Sequence, residues 1–123
     1  MKTLSNSNLV SKHQNLLNKP LKDYTIEDLR LMIGQNTGLE YLIPKAIKVL
    51  EINIFAEGDF FEGDLLLSVL KSSKEFWKTK LNLHQEIILL FEKNTENLFD
   101  FDTTDEIKEK ILKAFDEFKK NEI

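Results

Sequence analysis

The sequence predicts an all-α fold, a single compact domain of about six helices, and three observations carry that prediction. Apolar residues recur at three- and four-residue spacing along most of the chain, the period of a one-sided helix. Alternating apolar and polar runs, the mark of a half-buried strand, are scarce. Only four Gly and two Pro punctuate the 123 residues. An apolar fraction of 41% with nine Phe supplies a core. A chain of this length buries roughly two-thirds of the surface its unfolded form exposes, so it needs no covalent staple. The whole of 1–123 reads as one domain, with residues 1–8 expected to be disordered.

Each element has its own signal. Leu9, Val10, His13, Leu16 and Leu17 share one face of a short first helix that Pro20 ends. Thr25 reads as the N-cap of a second helix, with Glu27 and Asp28 in its first turn, where carboxylates suit the positive helix end. Ile26, Leu29, Arg30 and Ile33 continue it to about Asn36, and Gly38 is expected to close it. Pro44 predicts the first turn of a third helix, where its missing N–H is not needed, followed by Ala46, Ile47 and Leu50. Asn53 to Phe61 reads as a loop. Leu65 to Leu70 is apolar almost all round and predicts a short central helix, with a strand as the rival reading. Phe76 and Trp77 fall in a short helix or turn. A long helix is predicted over Leu81–Leu98, striped by Leu83, Ile87, Leu90, Phe91, Asn94 and Leu98. Thr103-Thr104-Asp105-Glu106 contains a capping box for the last helix. Its stripe is Ile107, Ile111, Ala114, Phe115 and Phe118.

Composition then narrows function. The chain has no Cys, which removes disulfides, thiolate metal sites and a Cys nucleophile. No apolar run is long enough to span a bilayer, and the start lacks the apolar stretch of a signal peptide. A cytoplasmic protein is expected. The formal net charge of -4 disfavours duplex DNA or an anionic membrane as partner and suits a basic one.

No constellation predicts catalysis, a cofactor or a metal. Glu57, Asp59, Glu62 and Asp64 are close enough in sequence to suggest oxygen ligands for a divalent cation. Turn formation by Asp59, and the attraction of Glu62 and Asp64 to the next helix start, explain them more simply. Asp100 to Asp105 opens like a calcium-binding loop, yet Asp105 stands where Gly is needed and Ile111 where Glu is needed. His13 and His84 belong to no ligand pair. Lys71, Lys74, Lys78 and Lys80 surround Phe76 and Trp77, and read as lysine stems laid over a buried Trp rather than a nucleic-acid platform.

One stretch says more. Leu16-Leu17-Asn18-Lys19-Pro20-Leu21, Tyr24-Thr25-Ile26-Glu27-Asp28-Leu29-Arg30 and Ile33-Gly34-Gln35-Asn36-Thr37-Gly38-Leu39 resemble the immunity proteins of bacterial contact-dependent growth inhibition systems. The resemblance continues through Leu42-Ile43-Pro44-Lys45-Ala46 and Leu50. It then takes in Glu57-Gly58-Asp59-Phe60-Phe61-Glu62-Gly63-Asp64-Leu65-Leu66 and Phe76-Trp77, and fades beyond.

The resemblance implies a small, helical, cytoplasmic, non-enzymatic toxin inhibitor that binds the C-terminal toxin domain, often a nuclease, of a surface-delivered effector. The matched boxes read as architecture. Leu29, Ile33, Leu65, Leu66 and Trp77 are expected in the core, Gly34, Gly38 and Gly63 at turns or close approaches, and Gln35 and Asp64 bonded to loop backbone. The expected partner is a basic toxin domain bound 1:1 by a monomer, with no nucleic acid or membrane. The expected contact residues are Glu57, Asp59 and Glu62 in the loop, with Glu92, Glu96, Asp100 and Asp102 near the long helix end. A helical adaptor that self-associates or binds some other protein is the alternative. A small hydrolase or metal-dependent enzyme is the third reading.

Overall fold

Thr25 starts the first helix of the computed structural model, which describes residues 18–120. Its hydroxyl accepts from the Asp28 N–H at 3.1 Å, and the Asp28 carboxylate accepts in return from the Thr25 N–H at 2.9 Å. This reciprocal box satisfies two helix-end donors at once. The helix it opens, α1, spans Ile26–Gly34 and follows a 3-10 turn at Leu21–Asp23. The first helix expected over Leu9–Leu17, and residues 1–8, lie outside the described residues.

The end of α1 differs from expectation. Asn36, not Gly38, is the left-handed residue that closes the helix, at φ 55°. The Thr37 N–H reaches the Met32 carbonyl at 3.0 Å and the Asn36 N–H reaches that of Ile33 at 2.9 Å, which is a Schellman closure. Gly38, at φ 64°, instead opens α2 (Leu39–Ile52). Pro44 therefore stands well inside α2 rather than in its first turn. Burial of Leu39, Leu42 and Ile43 holds the helix start upstream of the proline. The lost hydrogen bond falls on the carbonyl of Glu40, an exposed residue that solvent can serve.

A loop over 53–63 leads to α3 (Asp64–Leu70), the helix expected from the apolar run. Within the loop Glu57 and Glu62 form a single antiparallel bridge. Leu65, Leu66, Val69 and Leu70 of α3 are buried, so it acts as the central strut. It packs against α1, α2 and the last helix. Gly63, at φ 94°, lets the chain turn into α3 where an added Cβ would lie 3.1 Å from Ile111 Cδ1.

A short α4 (Lys74–Thr79) follows, and then α5 (Leu81–Lys93). The long helix expected to Leu98 breaks at Asn94, and a separate α6 spans Thr95–Asp100. The cause is local. Asn94 Nδ2 donates to the Leu90 carbonyl at 2.8 Å and Thr95 Oγ1 to that of Glu92 at 2.9 Å, so side chains take acceptors that a continuing helix would use. The final helix, α7, spans Asp105–Lys120. Its cap is Thr104, whose hydroxyl accepts from the Ile107 N–H at 3.2 Å. The expected Thr103–Glu106 box is thus shifted by one residue, and the third helical position holds Ile107, which cannot complete it.

Seven α-helices and no strand make up the described residues, around one continuous core. Leu29, Ile33, Leu65, Leu66 and Trp77 are all at most 1% exposed, as expected. Trp77 sits edge-on to Phe118, with ring centroids 4.9 Å apart, and α7 closes the core over it. Among the described residues no helix is long and apolar enough to cross a membrane.

Candidate partner-binding surface

The acidic loop is built around two carboxylates, one buried and one half-buried. Asp64, 3% exposed, accepts from three loop N–H groups: Gly58 at 2.6 Å through Oδ1, and Phe60 at 3.0 Å and Phe61 at 3.4 Å through Oδ2. A buried carboxylate is costly unless its lone pairs are filled, and here backbone donors fill them. Arg30 Nε lies 4.0 Å from Asp64 Oδ2. Glu27 and Arg30, one turn apart on α1, form a two-pronged pair at 2.6 Å on each prong. The hydrogen bonds that Arg30 donates to Glu27 lead the effects that hold its guanidinium above its ordinary pKa. Glu27 Oε1 also accepts from the Asp59 N–H at 2.8 Å. The guanidinium carbon sits 4.4 Å from the Phe60 ring centroid, a cation–π distance.

These bonds fix the loop backbone, Ile54 and Ala56 are buried beneath it, and the acidic side chains other than Asp64 are left outward. Glu57, Asp59 and Glu62 are exposed, and Phe60 keeps 69% of its surface in solvent. Gly58 is required by close approach, since an added Cβ would lie 2.6 Å from Glu27 Oε1. No group of three or more His, Cys, Asp or Glu side chains is arranged to hold a metal among the described residues. Asp64, one of the suggested cation ligands, has its oxygens committed to backbone donors.

The second acidic stretch meets the loop through one aromatic contact. Phe55 and Phe101 stack with centroids 4.0 Å apart and planes 8° from parallel. Phe101 stands between Asp100 and Asp102, both exposed, so the stack brings that pair beside the base of the loop. Glu92 is instead tied to α7, with Lys119 Nζ 3.5 Å away. Glu96 is exposed on α6. Five of the seven expected residues therefore belong to one neighbourhood, and Glu92 and Glu96 extend from it along α5 and α6.

Sequence reasoning placed Glu27 and Arg30 only as helix residues and gave Phe60 no role. The i, i+3 spacing of Glu27 and Arg30 marks an ion pair. Nothing in it marks a loop thirty positions later as the target. Gln35, expected to bond loop backbone, is exposed and makes no such bond to the described residues.

The remaining polar groups of the core are structural. His84, 1% exposed, has Nε2 2.7 Å from the Phe118 carbonyl; a carbonyl only accepts, so that nitrogen donates. It thereby serves one of the carbonyls that the last turn of α7 leaves unpaired. Trp77 Nε1 donates to Ser72 Oγ at 2.9 Å, and Ser72 Oγ donates to the Val69 carbonyl at 2.6 Å. A serine with its proton committed to a carbonyl and no base beside it is a poor nucleophile. Trp77 is fully buried and offers no stacking face to a base. His13 lies outside the described residues.

The family model of CDI immunity proteins matches residues 1–87, extending beyond the boxes between Leu16 and Trp77 in both directions. It covers α1 to α4, the acidic loop and the first half of α5. No curated protein matches the chain, and no solved structure does. A match over well more than half of the chain settles its membership: this protein belongs to the CDI immunity proteins.

Proposed function

We propose that the protein neutralises one cognate toxin domain by binding it and covering its active or substrate-binding surface, without catalysis of its own. The toxin is a basic nuclease in this reading, the complex holds one toxin per immunity chain, and binding takes place in the cytoplasm. The observation that carries the proposal is the pinned loop. Asp64, Glu27 and Arg30 fix its backbone while Glu57, Asp59 and Glu62 stand free around Phe60. Such a surface offers an aromatic anchor inside an acidic rim, and its ordering entropy is already spent before a partner arrives. Asp100 and Asp102 widen the rim, and Glu92 and Glu96 extend it.

Protection at low intracellular concentration requires a nanomolar or tighter complex, about -12 kcal/mol. If opposite charge guides the encounter, Asp59→Lys or Glu62→Lys slows association more than it speeds dissociation, and added salt removes the difference. Stopped-flow mixing with the toxin domain encoded beside this gene reads both rates. Competition growth against a strain delivering that toxin is the decisive comparison. Equal survival with and without this gene would overturn the proposal.

A further inference from the structure

We infer that the outer face of α5 pairs with the same face of a second copy of this chain, antiparallel about a two-fold axis. Glu86, Leu89, Leu90 and Lys93 stand at i, i+3, i+4 and i+7, the positions that share one helix face. With Ile47 and Glu51 of α2 they line a cleft of about 420 Å³. Leu89 is 57% exposed at its lip and Leu90 beside it is half-buried, so the face offers apolar surface between two opposite charges.

The charges identify the cover. Glu86 and Lys93 lie about 10 Å apart along the axis, at 1.5 Å per residue, with the two leucines midway between them. A two-fold axis through the leucines sets Glu86 of one chain opposite Lys93 of its partner, and Lys93 opposite Glu86. It also brings the two Leu89 side chains together over the clefts. A closed two-fold contact requires such a self-complementary patch, and it is the commonest symmetry among soluble oligomers. Both charges are free for the purpose, since among the described residues neither pairs within its own chain. The adjacent Glu92 is already paired with Lys119. Glu51 adds a second carboxylate at the rim within reach of the same approach.

The paired residues include none from the Glu57–Gly63 loop, while Glu92, which extends the acidic rim, adjoins Lys93 at the edge of the contact. Analytical ultracentrifugation of the free, full-length protein reads it directly. The unaltered chain dimerises at micromolar concentration. Glu86→Lys or Lys93→Glu alone places like charges opposite each other and weakens the dimer at least tenfold. The double exchange Glu86→Lys with Lys93→Glu restores it. The chain has no cysteine, so Leu89→Cys provides a second reading: it forms a disulfide-linked dimer under mild oxidation much faster than Leu112→Cys on α7. A monomer at all concentrations, a double exchange no better than either single change, or equal cross-linking at positions 89 and 112 would overturn the inference. So would a Leu89→Asp variant that loses toxin binding while the unaltered chain is monomeric, because the face would then belong to the toxin. Loop variants that lose protection while still dimerising keep the two readings separable.

Discussion

The loop at 53–63 and the stretch from Asn94 to Thr104 both present carboxylates to solvent, yet they are held in different ways. The loop is fastened by a buried carboxylate and an ion pair whose partners come from α1 and α3. The second stretch is fastened by short-range bonds, with Asn94, Thr95 and Thr104 serving backbone within four residues of themselves. Its anchors to the rest of the molecule are apolar: Phe101 stacks on Phe55, and Leu98 is buried in the core. Long-range polar fastening gives a surface one shape before binding, whereas local bonding fixes each turn and leaves their mutual placement to non-directional apolar packing. The loop is therefore the better preorganised half of the acidic face.

Removing the fasteners tests this difference most severely. Asp64→Ala leaves three loop N–H groups without their acceptor and Glu27–Arg30 without its neighbour, and is expected to cost about 3 kcal/mol. Urea denaturation gives that figure, and hydrogen exchange at Gly58, Phe60 and Phe61 should rise together. A change below about 1 kcal/mol would mean that the loop is not held from within. Phe101→Ala, which removes a buried ring, is expected to cost about 3 kcal/mol as well. Its distinguishing result is spatial: the loop amides keep their protection while those of α6 lose it.

Gly58→Ala sharpens the comparison at smaller scale. The added methyl forces Glu27 off its 2.8 Å bond to the Asp59 N–H, with an expected cost of about 1–2 kcal/mol, readable as a shift in denaturation midpoint. The smallest effect concerns pH. Burial pushes the Asp28 carboxyl up, but the Lys19 hydrogen bond, the Thr25 N–H, the Lys19 charge and the Thr25 hydroxyl together carry it below its ordinary 3.8. A carboxyl lowered on folding stabilises the folded state above its unfolded pKa, and that contribution is lost as pH falls through the folded one. Stability should therefore decline below about pH 4 by less in Asp28→Asn than in the unaltered chain, when urea midpoints are compared from pH 6 to pH 3.

The sequence was most legible where packing follows a local period. Leu65 to Leu70 announced a buried helix, and Thr25 with Asp28 announced its neighbour's start, because each signal lies within one helical turn. The failures share a cause too. Pro44 and the Leu81–Leu98 run were read by local preference, but burial of Leu39 to Ile43 and the side chains of Asn94 and Thr95 decided the outcome. The exposed carboxylates were legible as charge. The core of the site was not, because Glu27 and Arg30 reach their targets 30 or more positions later, and no periodicity encodes that distance.

The seat of Trp77 has a consequence for synthesis on the ribosome. Its pocket is completed by Phe118, and Phe118 returns a carbonyl to His84, so both contacts wait for the last described helix. Chains emerge N-terminal end first at about 5–20 residues per second, so α1 to α6 exist for some seconds with the floor of the core open. During that interval the acidic loop has all its fasteners while Gly63 has not yet met Ile111. Nascent chains stalled with α7 still inside the tunnel should be cut readily around Trp77 by chymotrypsin. Chains released past Lys120 should resist it, and only those should inhibit the toxin at full strength. A cell making this protein therefore gains protection when α7 clears the exit, not when the loop does.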